Sequence, residues 1–276
     1  MRKEILIVGA IAGDIIGSVY EFQNIKTVNF DLFSDESFFT DDSVLTLATM
    51  DTLLHNRNYT DNYQLFGRKY PNAGYGGHFY NWIFEEHPEP YNSWGNGSAM
   101  RISPVGWFCS SIDETMAEAE KSAGVTHNHP EGIKGAQAAA TAVYMARTGK
   151  NKDEIKKFIA DTFKYDLNRK IDNIRPDYKF DVSCQGSVPQ AIIAFLESSD
   201  YENAIRLAVS IGGDSDTIAC ITGGISEAYY QKIPEYIVDN VLKILPERLT
   251  WIIEDFSEKY RNGNKKRVNH SQARSL

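Results

Sequence analysis

The spacing of apolar residues along this chain is typical of α-helices. Apolar side chains recur every three or four residues in most segments, as at Val188, Ile192 and Phe195, and so fall on one face of a helix. Alternating patterns that indicate β-strands are scarce. The pattern predicts helices at residues 4–20, 41–55, 61–70, 76–86, 98–108, 113–124, 130–148, 151–164, 186–198, 200–211, 215–231, 234–244 and 247–260. We therefore predict an all-α fold, a single compact multi-helix orthogonal bundle.

Two connections between the predicted helices are long, at residues 23–39 and 165–183. Long loops in a compact domain often serve a site. We expect these two loops to border any binding or catalytic site.

Composition and charge are those of an ordinary globular domain. The chain has 276 residues, of which 42% are hydrophobic and 24% charged, and no apolar run approaches the roughly 18 residues needed to cross a bilayer. Five of the 29 basic residues and none of the 37 acidic ones lie beyond residue 260, which leaves 24 basic residues against 37 acidic ones before it. We predict one domain at residues 1–260 and a basic, flexible tail at 261–276. Because the domain is acidic, we expect it to bind nucleic-acid backbone poorly, and we expect no membrane partner.

The start of the chain and its cysteines predict a cytoplasmic protein. Met1-Arg2-Lys3 and the apolar residues that follow imitate a signal peptide, but the apolar stretch is short and Asp14 follows it closely. Cys109, Cys184 and Cys220 are an odd number without metal-type spacing, which favours reduced and buried thiols.

Two short acidic segments, far apart in the sequence, are the strongest candidates for chemistry. Thr40-Asp41-Asp42 and Asp214-Ser215-Asp216-Thr217 each place paired carboxylates beside a hydroxyl at a predicted helix start. Carboxylates that meet in space repel one another, and burial adds a desolvation cost, so a fold that gathers them needs a cation or must protonate some of them. Oxygen donors suit Mg²⁺, Mn²⁺ or Ca²⁺, and four aspartates can hold two ions. Taken singly, each segment can also be an ordinary helix cap or turn.

The first predicted helix carries glycines and acids at regular spacings. Gly9, Gly13 and Gly17 are four residues apart and so share a helix face, where missing side chains let another helix approach closely. This spacing does not match the glycine turn of dinucleotide-binding folds. Asp14 and Glu21 also share a face. We expect Asp14 to accept hydrogen bonds from a neighbouring loop or helix N-terminus, and Glu21, at the helix end, to act on water or substrate.

Further segments combine glycine with aromatic and polar residues. Gly74-Tyr75-Gly76-Gly77-His78 predicts a turn at a helix start, an arrangement that binds phosphate through backbone N–H groups. Ser93-Trp94-Gly95-Asn96-Gly97-Ser98 adds a ring that can stack on a base, with polar groups for ribose or phosphate. Thr126-His127-Asn128-His129 has two histidines but no third zinc ligand nearby, which favours structural or substrate contacts. Gly212-Gly213 predicts a sharp turn that aims the carboxylates after it at one spot.

With these motifs the chain resembles the ADP-ribosylglycohydrolase family. The resemblance runs from Ile5 to about Tyr230 and rests on motifs that follow one another in order. They are Gly13-Asp14 with Glu21, Thr40-Asp41-Asp42, Gly74-Tyr75-Gly76, Gly95-Asn96-Gly97-Ser98-Ala99-Met100-Arg101, Thr126-His127 and Gly212-Gly213-Asp214-Ser215-Asp216-Thr217. The resemblance implies an all-helical enzyme that binds two Mg²⁺ or Mn²⁺ ions and cleaves the glycosidic bond between C1″ of ADP-ribose and an acceptor.

The resemblance also implies a role for each matching residue. The implied metal ligands are Thr40, Asp41, Asp42, Asp214, Asp216 and Thr217. Glu21 would lie near the scissile bond and, with Asp41 and Asp214, forms the expected catalytic set. The implied substrate contacts are Gly74, Tyr75, Gly76 and Gly77 for the pyrophosphate, Ser93, Trp94, Gly95 and Asn96 for the distal ribose and adenine, and His127 for neighbouring groups. Trp94 stands where relatives often place Tyr, and a second aromatic expected near Pro88 is missing, with Tyr91 as a candidate substitute.

Two other functions are compatible with the same residues. Paired divalent ions also suit a phosphoesterase that acts on nucleotides. A non-catalytic ADP-ribose-binding relative is the second alternative, because a fold alone does not establish turnover. The expected partner is an ADP-ribosylated protein or a small ADP-ribose conjugate, a modified nucleic acid stays open as an acceptor, and the expected state is a monomer. We expect the loops at 23–39 and 165–183 to choose the acceptor.

Overall fold

A computed structural model describes residues 7–273 of the chain, with side chains described for residues 7–261. Over this part the chain forms fifteen α-helices and one 3-10 turn, Ser18–Tyr20. The helices are α1 (Gly9–Gly17), α2 (Asp41–His55), α3 (Tyr59–Lys69), α4 (Gly77–Trp82), α5 (Gly97–Met100), α6 (Ser103–Phe108), α7 (Ile112–Gly124), α8 (Pro130–Arg147), α9 (Lys152–Phe163), α10 (Ile171–Ile174), α11 (Cys184–Glu197), α12 (Tyr201–Ser210), α13 (Ser215–Tyr230), α14 (Glu235–Ile244) and α15 (Glu247–Ala273).

The described residues contain no β-strand and only one isolated bridge, between Gly95 and Ser183. The predicted all-α fold is therefore confirmed. No helix within the described ranges is long and apolar enough to cross a bilayer.

Beyond shifts of a few residues at helix ends, the predicted and observed helices differ in three places. The helix predicted at 98–108 is two helices, α5 and α6, because Pro104 has no N–H to donate to the carbonyl of Met100, whereas in the first turn of α6 a missing N–H costs no hydrogen bond within the helix. The loop at 165–183 contains α10, which is too short to show a periodic pattern. α15 continues to Ala273, so it includes backbone of the predicted tail, while residues 274–276 and the predicted helix start at 4–6 lie outside the described residues. The flexibility of the tail stays a prediction.

Two central helices, α1 and α13, lie against each other along most of α1. All nine residues of α1 are buried, and α13 is buried from Ser215 to Ala228. Gly9, Gly13 and Gly17 face α13, and a Cβ atom on Gly13 would lie 2.1 Å from the carbonyl oxygen of Ala219. The predicted packing role of the three glycines is therefore confirmed.

Glu227, on α13, satisfies the start of α1. Its two carboxylate oxygens accept hydrogen bonds from the backbone N–H groups of Val8 (3.1 Å) and Gly9 (2.8 Å). The first N–H groups of a helix have no partner within the helix, and a buried helix start needs one from elsewhere. Burial nevertheless dominates at this carboxyl and raises the pKa of Glu227 from 4.5 to about 8.

We predict that Gly13→Ala strongly destabilises the protein. The added methyl group would collide with backbone atoms of α13, which move only if the two helices separate, so the expected loss is roughly 3 kcal/mol or more. The free energy of unfolding from urea titration measures it. Gly124→Ala is the matched control, because a Cβ at Gly124 meets no atom within 4 Å, and we expect it to be neutral or stabilising. Equal stability of the two variants would contradict the close helix contact.

We also predict that Glu227→Gln reduces the pH dependence of stability. The folded pKa of about 8 is above the usual value, so the stability linked to this proton is fully present below about pH 4.5 and is lost as the pH rises through 8. Gln cannot ionise. Thermal unfolding at pH 6 and pH 9 should therefore show a smaller drop in Tm for E227Q than for the wild type, and equal drops would rule out a raised pKa at Glu227.

Candidate functional site

One cavity of about 660 Å³ gathers residues from both ends of the chain. Of the residues predicted from the sequence, it is lined by Glu21, Thr40, Asp41, Asp42, Gly74, Gly76, Gly77, Ser93, Gly95, Asn96, His127, Asp214, Asp216 and Thr217. Tyr75 and Trp94 are not among its lining residues. The two acidic segments therefore share one space, although more than 170 residues separate them in the sequence.

The first acidic segment is held at the start of α2. Thr40 is the N-cap residue, and its hydroxyl accepts from the backbone N–H of Asp42 at 3.2 Å. The N–H of Asp41 donates to the carbonyl of Ala73 at 2.7 Å, which ties the glycine-rich turn to this helix start. Both carboxylates lie in the first turn, where the helix dipole favours negative charge.

Asp14 holds the first acidic segment in place through hydrogen bonds. Its carboxylate accepts from the hydroxyl of Thr40 at 2.6 Å and from the backbone N–H groups of Thr40 and Ser43 at 2.9 and 3.1 Å. The Ser43 hydroxyl also donates to it. The expected structural role of Asp14, acceptance of hydrogen bonds from a helix N-terminus, is confirmed.

The second acidic segment follows a tight turn of the backbone. Gly212 and Gly213 have φ angles of 71° and 74°, in the left-handed region that glycine adopts without a steric cost. The side chain of Asn24, from the loop at 23–39, closes the turn: its Oδ1 accepts from the N–H of Gly213 at 2.6 Å, and its Nδ2 donates to the Gly213 carbonyl at 3.0 Å. The predicted turn is confirmed, and Asn24 was missed because nothing in its sequence surroundings marks it.

Hydrogen bonds orient Asp214 and join the two segments. Asn96 Nδ2 donates to Asp214 Oδ2 at 2.7 Å. The hydroxyl of Thr217 donates to Asp42 Oδ1 at 3.3 Å. Asn96 was expected to contact the distal ribose; that role stays a prediction, while its amide supports an acidic side chain of the site.

The carboxylates of this site are poorly compensated. Burial, followed by neighbouring carboxylates, raises the pKa of Asp41, Asp42 and Asp216 well above the usual value, and burial with Asp214 raises the pKa of Glu21 to about 7. Asp42 Oδ2 is buried and finds no hydrogen-bond partner among the described residues. Among the side chains described, no Lys, Arg or His forms an ion pair with these acids.

The donor atoms fit a hard divalent cation. Oxygen atoms of Glu21, Asp214 and Asp216 lie within 4.8 Å of one another. A cation would supply the missing partner of Asp42 and neutralise charge that burial otherwise makes costly. Oxygen ligands of this kind suit Mg²⁺, Mn²⁺ or Ca²⁺.

The backbone of the glycine-rich turn lines the cavity and is not covered by side chains of its own glycines. Gly74 has a φ angle of 99° and lies beside Asp41, and a Cβ on Gly76 or Gly77 would meet no atom within 4 Å. Tyr75 points away and stacks on Phe79, with ring centroids 5.3 Å apart.

Aromatic side chains other than the predicted Trp94 surround the cavity. Trp94 is 47% exposed and lies off the cavity wall, whereas Tyr91 lines it. Phe22, Phe38 and Phe180 also line it and are exposed, and the rings of Phe22 and Phe180 stack at 6.2 Å. These three were missed, although all but Phe22 lie in the two loops that were expected to border a site.

The two histidines of the polar cluster separate in the structure. His129 is the N-cap residue of α8 and accepts from the N–H of Glu131 at 3.1 Å, whereas His127 lines the cavity. The structural or substrate-contact interpretation is therefore favoured over zinc.

Comparison with known proteins decides the family. The family model described as ADP-ribosylglycohydrolase matches residues 5–265. The chain belongs to the ADP-ribosylglycohydrolase family. Membership indicates an ADP-ribosyl glycohydrolase, an enzyme that hydrolyses glycosyl bonds.

Individual relatives are distant but cover most of the chain. A protein of Acanthamoeba polyphaga mimivirus, provisionally named an ADP-ribosyl glycohydrolase, is 28% identical over 88% of this chain and 91% of its own length. The ADP-ribosylhydrolase ARH3 of Homo sapiens is 25% identical over 82% of this chain and 85% of its own. A solved structure titled ADP-ribosylglycohydrolase-related protein complex superposes with a TM-score of 0.70 at 21% identity, covering 92% of this chain and 95% of that one, which shows that the fold is shared.

We predict that Asp42→Asn stabilises the protein in the absence of divalent cations. The substitution keeps an oxygen for the Thr217 hydroxyl, removes one charge from the cluster and gives the unpartnered position an N–H₂ donor. Thermal unfolding in a chelator should show a Tm a few degrees above the wild type, since 1 kcal/mol corresponds to about 2–4 °C in a domain near this size. Added Mg²⁺ or Mn²⁺ should raise the Tm of D42N less than that of the wild type.

Asp161→Asn is the control for this measurement, because Asp161 is exposed and its ion pair with Lys157 is worth little. The Tm of D161N should equal that of the wild type, both in chelator and with added Mg²⁺ or Mn²⁺. A D42N variant that unfolds earlier than the wild type in chelator would refute the electrostatic description of the cluster.

Proposed function

We propose that this protein is a divalent-metal-dependent hydrolase that cleaves the glycosidic bond at C1″ of an ADP-ribose conjugate and releases ADP-ribose. The hydrogen bond between Thr217 and Asp42 carries the proposal, because it joins the two acidic segments in one cavity whose charge the described residues leave uncompensated. The family and the ARH3 relatives support ADP-ribose conjugates as substrates.

The residues that would hold two Mg²⁺ or Mn²⁺ ions are Thr40, Asp41, Asp42, Asp214, Asp216 and Thr217. All six line the cavity, and all offer oxygen ligands. Bound ions would act as Lewis acids that hold substrate hydroxyls and make a water molecule more acidic. Mg²⁺ and Mn²⁺ share this ligand chemistry, so the identity of the metal is part of the test.

Glu21 is the acid best placed to act on the substrate itself. It follows the 3-10 turn, and it is less buried than Asp214 and Asp216 beside it. Departure of the acceptor leaves positive charge at C1″, which nearby carboxylates stabilise electrostatically. We assign this role to Glu21 together with Asp41 and Asp214.

The rest of the cavity suits the ADP part of the substrate. Its volume of about 660 Å³ lies within the roughly 300–1,000 Å³ of small-molecule sites. The open backbone of Gly74, Gly76 and Gly77 would face the diphosphate, and Ser93 and Gly95 the distal ribose. Tyr91 takes over from Trp94 as the aromatic contact that we propose. The protein would act as a monomer on an ADP-ribosylated protein or a small conjugate. A modified nucleic acid is the acceptor that stays open.

We predict that Asp214→Ala and Asp216→Ala each abolish divalent-cation binding and turnover while the helical fold is kept. Each removes a carboxylate from the cluster, and neither side chain packs in the apolar core. Calorimetry with Mg²⁺ and Mn²⁺, turnover of an ADP-ribosylated peptide and circular dichroism measure the three properties. Asp161→Ala serves as the control with an exposed aspartate. Retained turnover in D214A or in D216A would contradict this mechanism.

Product analysis separates the proposed reaction from its rivals. A panel of conjugates with arginine, serine, acetyl-ester, polymer and nucleic-acid acceptors should release free ADP-ribose from at least one member. AMP or phosphate as the product would instead indicate a two-metal phosphoesterase. Calorimetric binding of ADP-ribose without turnover of any conjugate would indicate a non-catalytic binder.

A further inference from the structure

Four apolar side chains at the opening of the cavity are exposed. Phe22 is 83% exposed, Phe38 50%, Phe180 49% and Val182 45%, and all four line the cavity. The rings of Phe22 and Phe180 lie nearly parallel, with centroids 6.2 Å apart and an angle of 19° between their planes. Apolar side chains that gather at one opening are typical of a binding surface. We call Phe22, Phe38, Phe180 and Val182 the apolar rim.

Hydrogen bonds hold the backbone next to Phe22. The side chain of Asn24 donates from Nδ2 to the carbonyl of Glu21 at 2.7 Å and to the carbonyl of Gly213 at 3.0 Å. The segment that carries Phe22 is thereby tied to the turn before α13. The ring is exposed although its backbone is held.

The backbone around Phe180 is held in the same way. Before Phe180, Lys26 Nζ donates to the carbonyl of Tyr178 at 2.8 Å. After it, the N–H of Asn96 donates to the carbonyl of Val182 at 2.7 Å. Because both sides of the ring pair are held before any ligand binds, little backbone entropy is lost when a ligand covers the rings.

The ring pair lies next to the acid that we place at the scissile bond. Phe22 directly follows Glu21, and oxygen atoms of Glu21, Asp214 and Asp216 lie within 4.8 Å of one another. Under the proposed function, on which this step rests, C1″ lies at these carboxylates and the ADP part extends to the glycine-rich turn. The acceptor is bonded to C1″ on the side of Glu21, so the groups that follow the acceptor atom lie beside Phe22 and Phe180.

The charge of the cavity favours a polypeptide acceptor over a nucleic acid. Among the described residues that line it, Arg101 is the only Lys or Arg, and its side chain is fully buried. The acidic lining residues are Glu21, Asp41, Asp42, Asp214 and Asp216, and the whole chain carries a formal charge of −8. Nucleic acids bind through Lys and Arg that neutralise their phosphates. An apolar side chain needs no such partner, and it gains free energy when it covers exposed rings.

We propose that the apolar rim is an acceptor subsite, in which Phe22 and Phe180 contact an apolar side chain next to the modified residue of a polypeptide. The protein then prefers protein and peptide conjugates with such a neighbour over conjugates that end at the acceptor atom. Phe22 and Phe180 determine specificity and do not touch the reacting atoms.

A conjugate that cannot be cleaved tests the subsite by binding alone. The probes are C-glycosidic ADP-ribosyl peptides, in which carbon replaces the acceptor atom at C1″, with either Leu or Ser on both sides of the modified residue. Calorimetry with Mg²⁺ or Mn²⁺ should show that the wild type binds the Leu peptide about tenfold more tightly, since a Leu side chain covers about half of a phenyl ring. Equal affinities for the two peptides would overturn the proposal.

The preference for Leu should depend on the two rings. A variant that combines Phe22→Ser with Phe180→Ser should bind both peptides equally and should keep the wild-type affinity for ADP-ribose, which has no acceptor. Phe22→Tyr retains a ring and should retain the preference. Phe84→Ser is the matched control, because Phe84 is 50% exposed and does not line the cavity. F84S should bind all three ligands as the wild type does.

Other occupants of the apolar rim give different results. Equal weakening of ADP-ribose and peptide binding in the double variant would assign the rings to the ADP part and refute the subsite. Tighter binding of a C-glycosidic ADP-ribosyl oligonucleotide than of the Leu peptide would indicate a nucleic-acid acceptor instead. A dimer in sedimentation velocity that the double variant abolishes would assign the rim to a second copy of the chain.

These measurements do not use turnover, so the failure of the subsite differs from that of the proposed function. A protein that hydrolyses a conjugate but does not distinguish the Leu and Ser peptides loses only the acceptor subsite. A protein that binds neither ADP-ribose nor either peptide loses the proposed function together with the subsite.

Discussion

The contact between α1 and α13 is the constraint on which the site depends. Without side chains at Gly9, Gly13 and Gly17, the two helices approach until backbone touches backbone. At the end of this contact the Ser215 hydroxyl donates to the carbonyl of Gly17 at 3.1 Å. The start of α13 is thereby placed beside the end of α1. Asp14, on the same helix, holds the start of α2, so a single buried helix positions both acidic segments.

The same geometry creates the electrostatic cost that a cation would relieve. Asp42 and Asp216 are almost completely buried, and their neighbours are other carboxylates. Two helix N-termini offset part of this repulsion. Packing elsewhere in the fold must offset the rest, and both acids lie on extensively buried helices, Asp42 on α2 and Asp216 on α13.

Much of this could be predicted from the sequence, because the strongest signals are local. The spacing of Gly9, Gly13 and Gly17 predicted a helix contact, and Gly212-Gly213 predicted the turn before Asp214. The all-α class followed from periodicity. The contacts that the sequence did not predict involve residues that meet only in the folded chain. They include the amide of Asn24 across the turn and the buried guanidinium of Arg101. The role of Trp94 was read from its place in a motif, yet the direction of a loop side chain is set by tertiary contacts that no spacing encodes.

Hydrogen bonds hold the first residues of the loop at 23–39 to the rest of the fold, whereas residues farther along it are exposed. Asn24 closes the Gly212-Gly213 turn, and Lys26 donates to the carbonyls of Tyr178 at 2.8 Å and Ile211 at 2.5 Å. Residues 34–36, farther along the loop, are exposed. A substitution at residues 34–36 therefore leaves the turn before α13 in place, whereas a substitution of Asn24 or Lys26 removes a contact that holds the start of the second acidic segment.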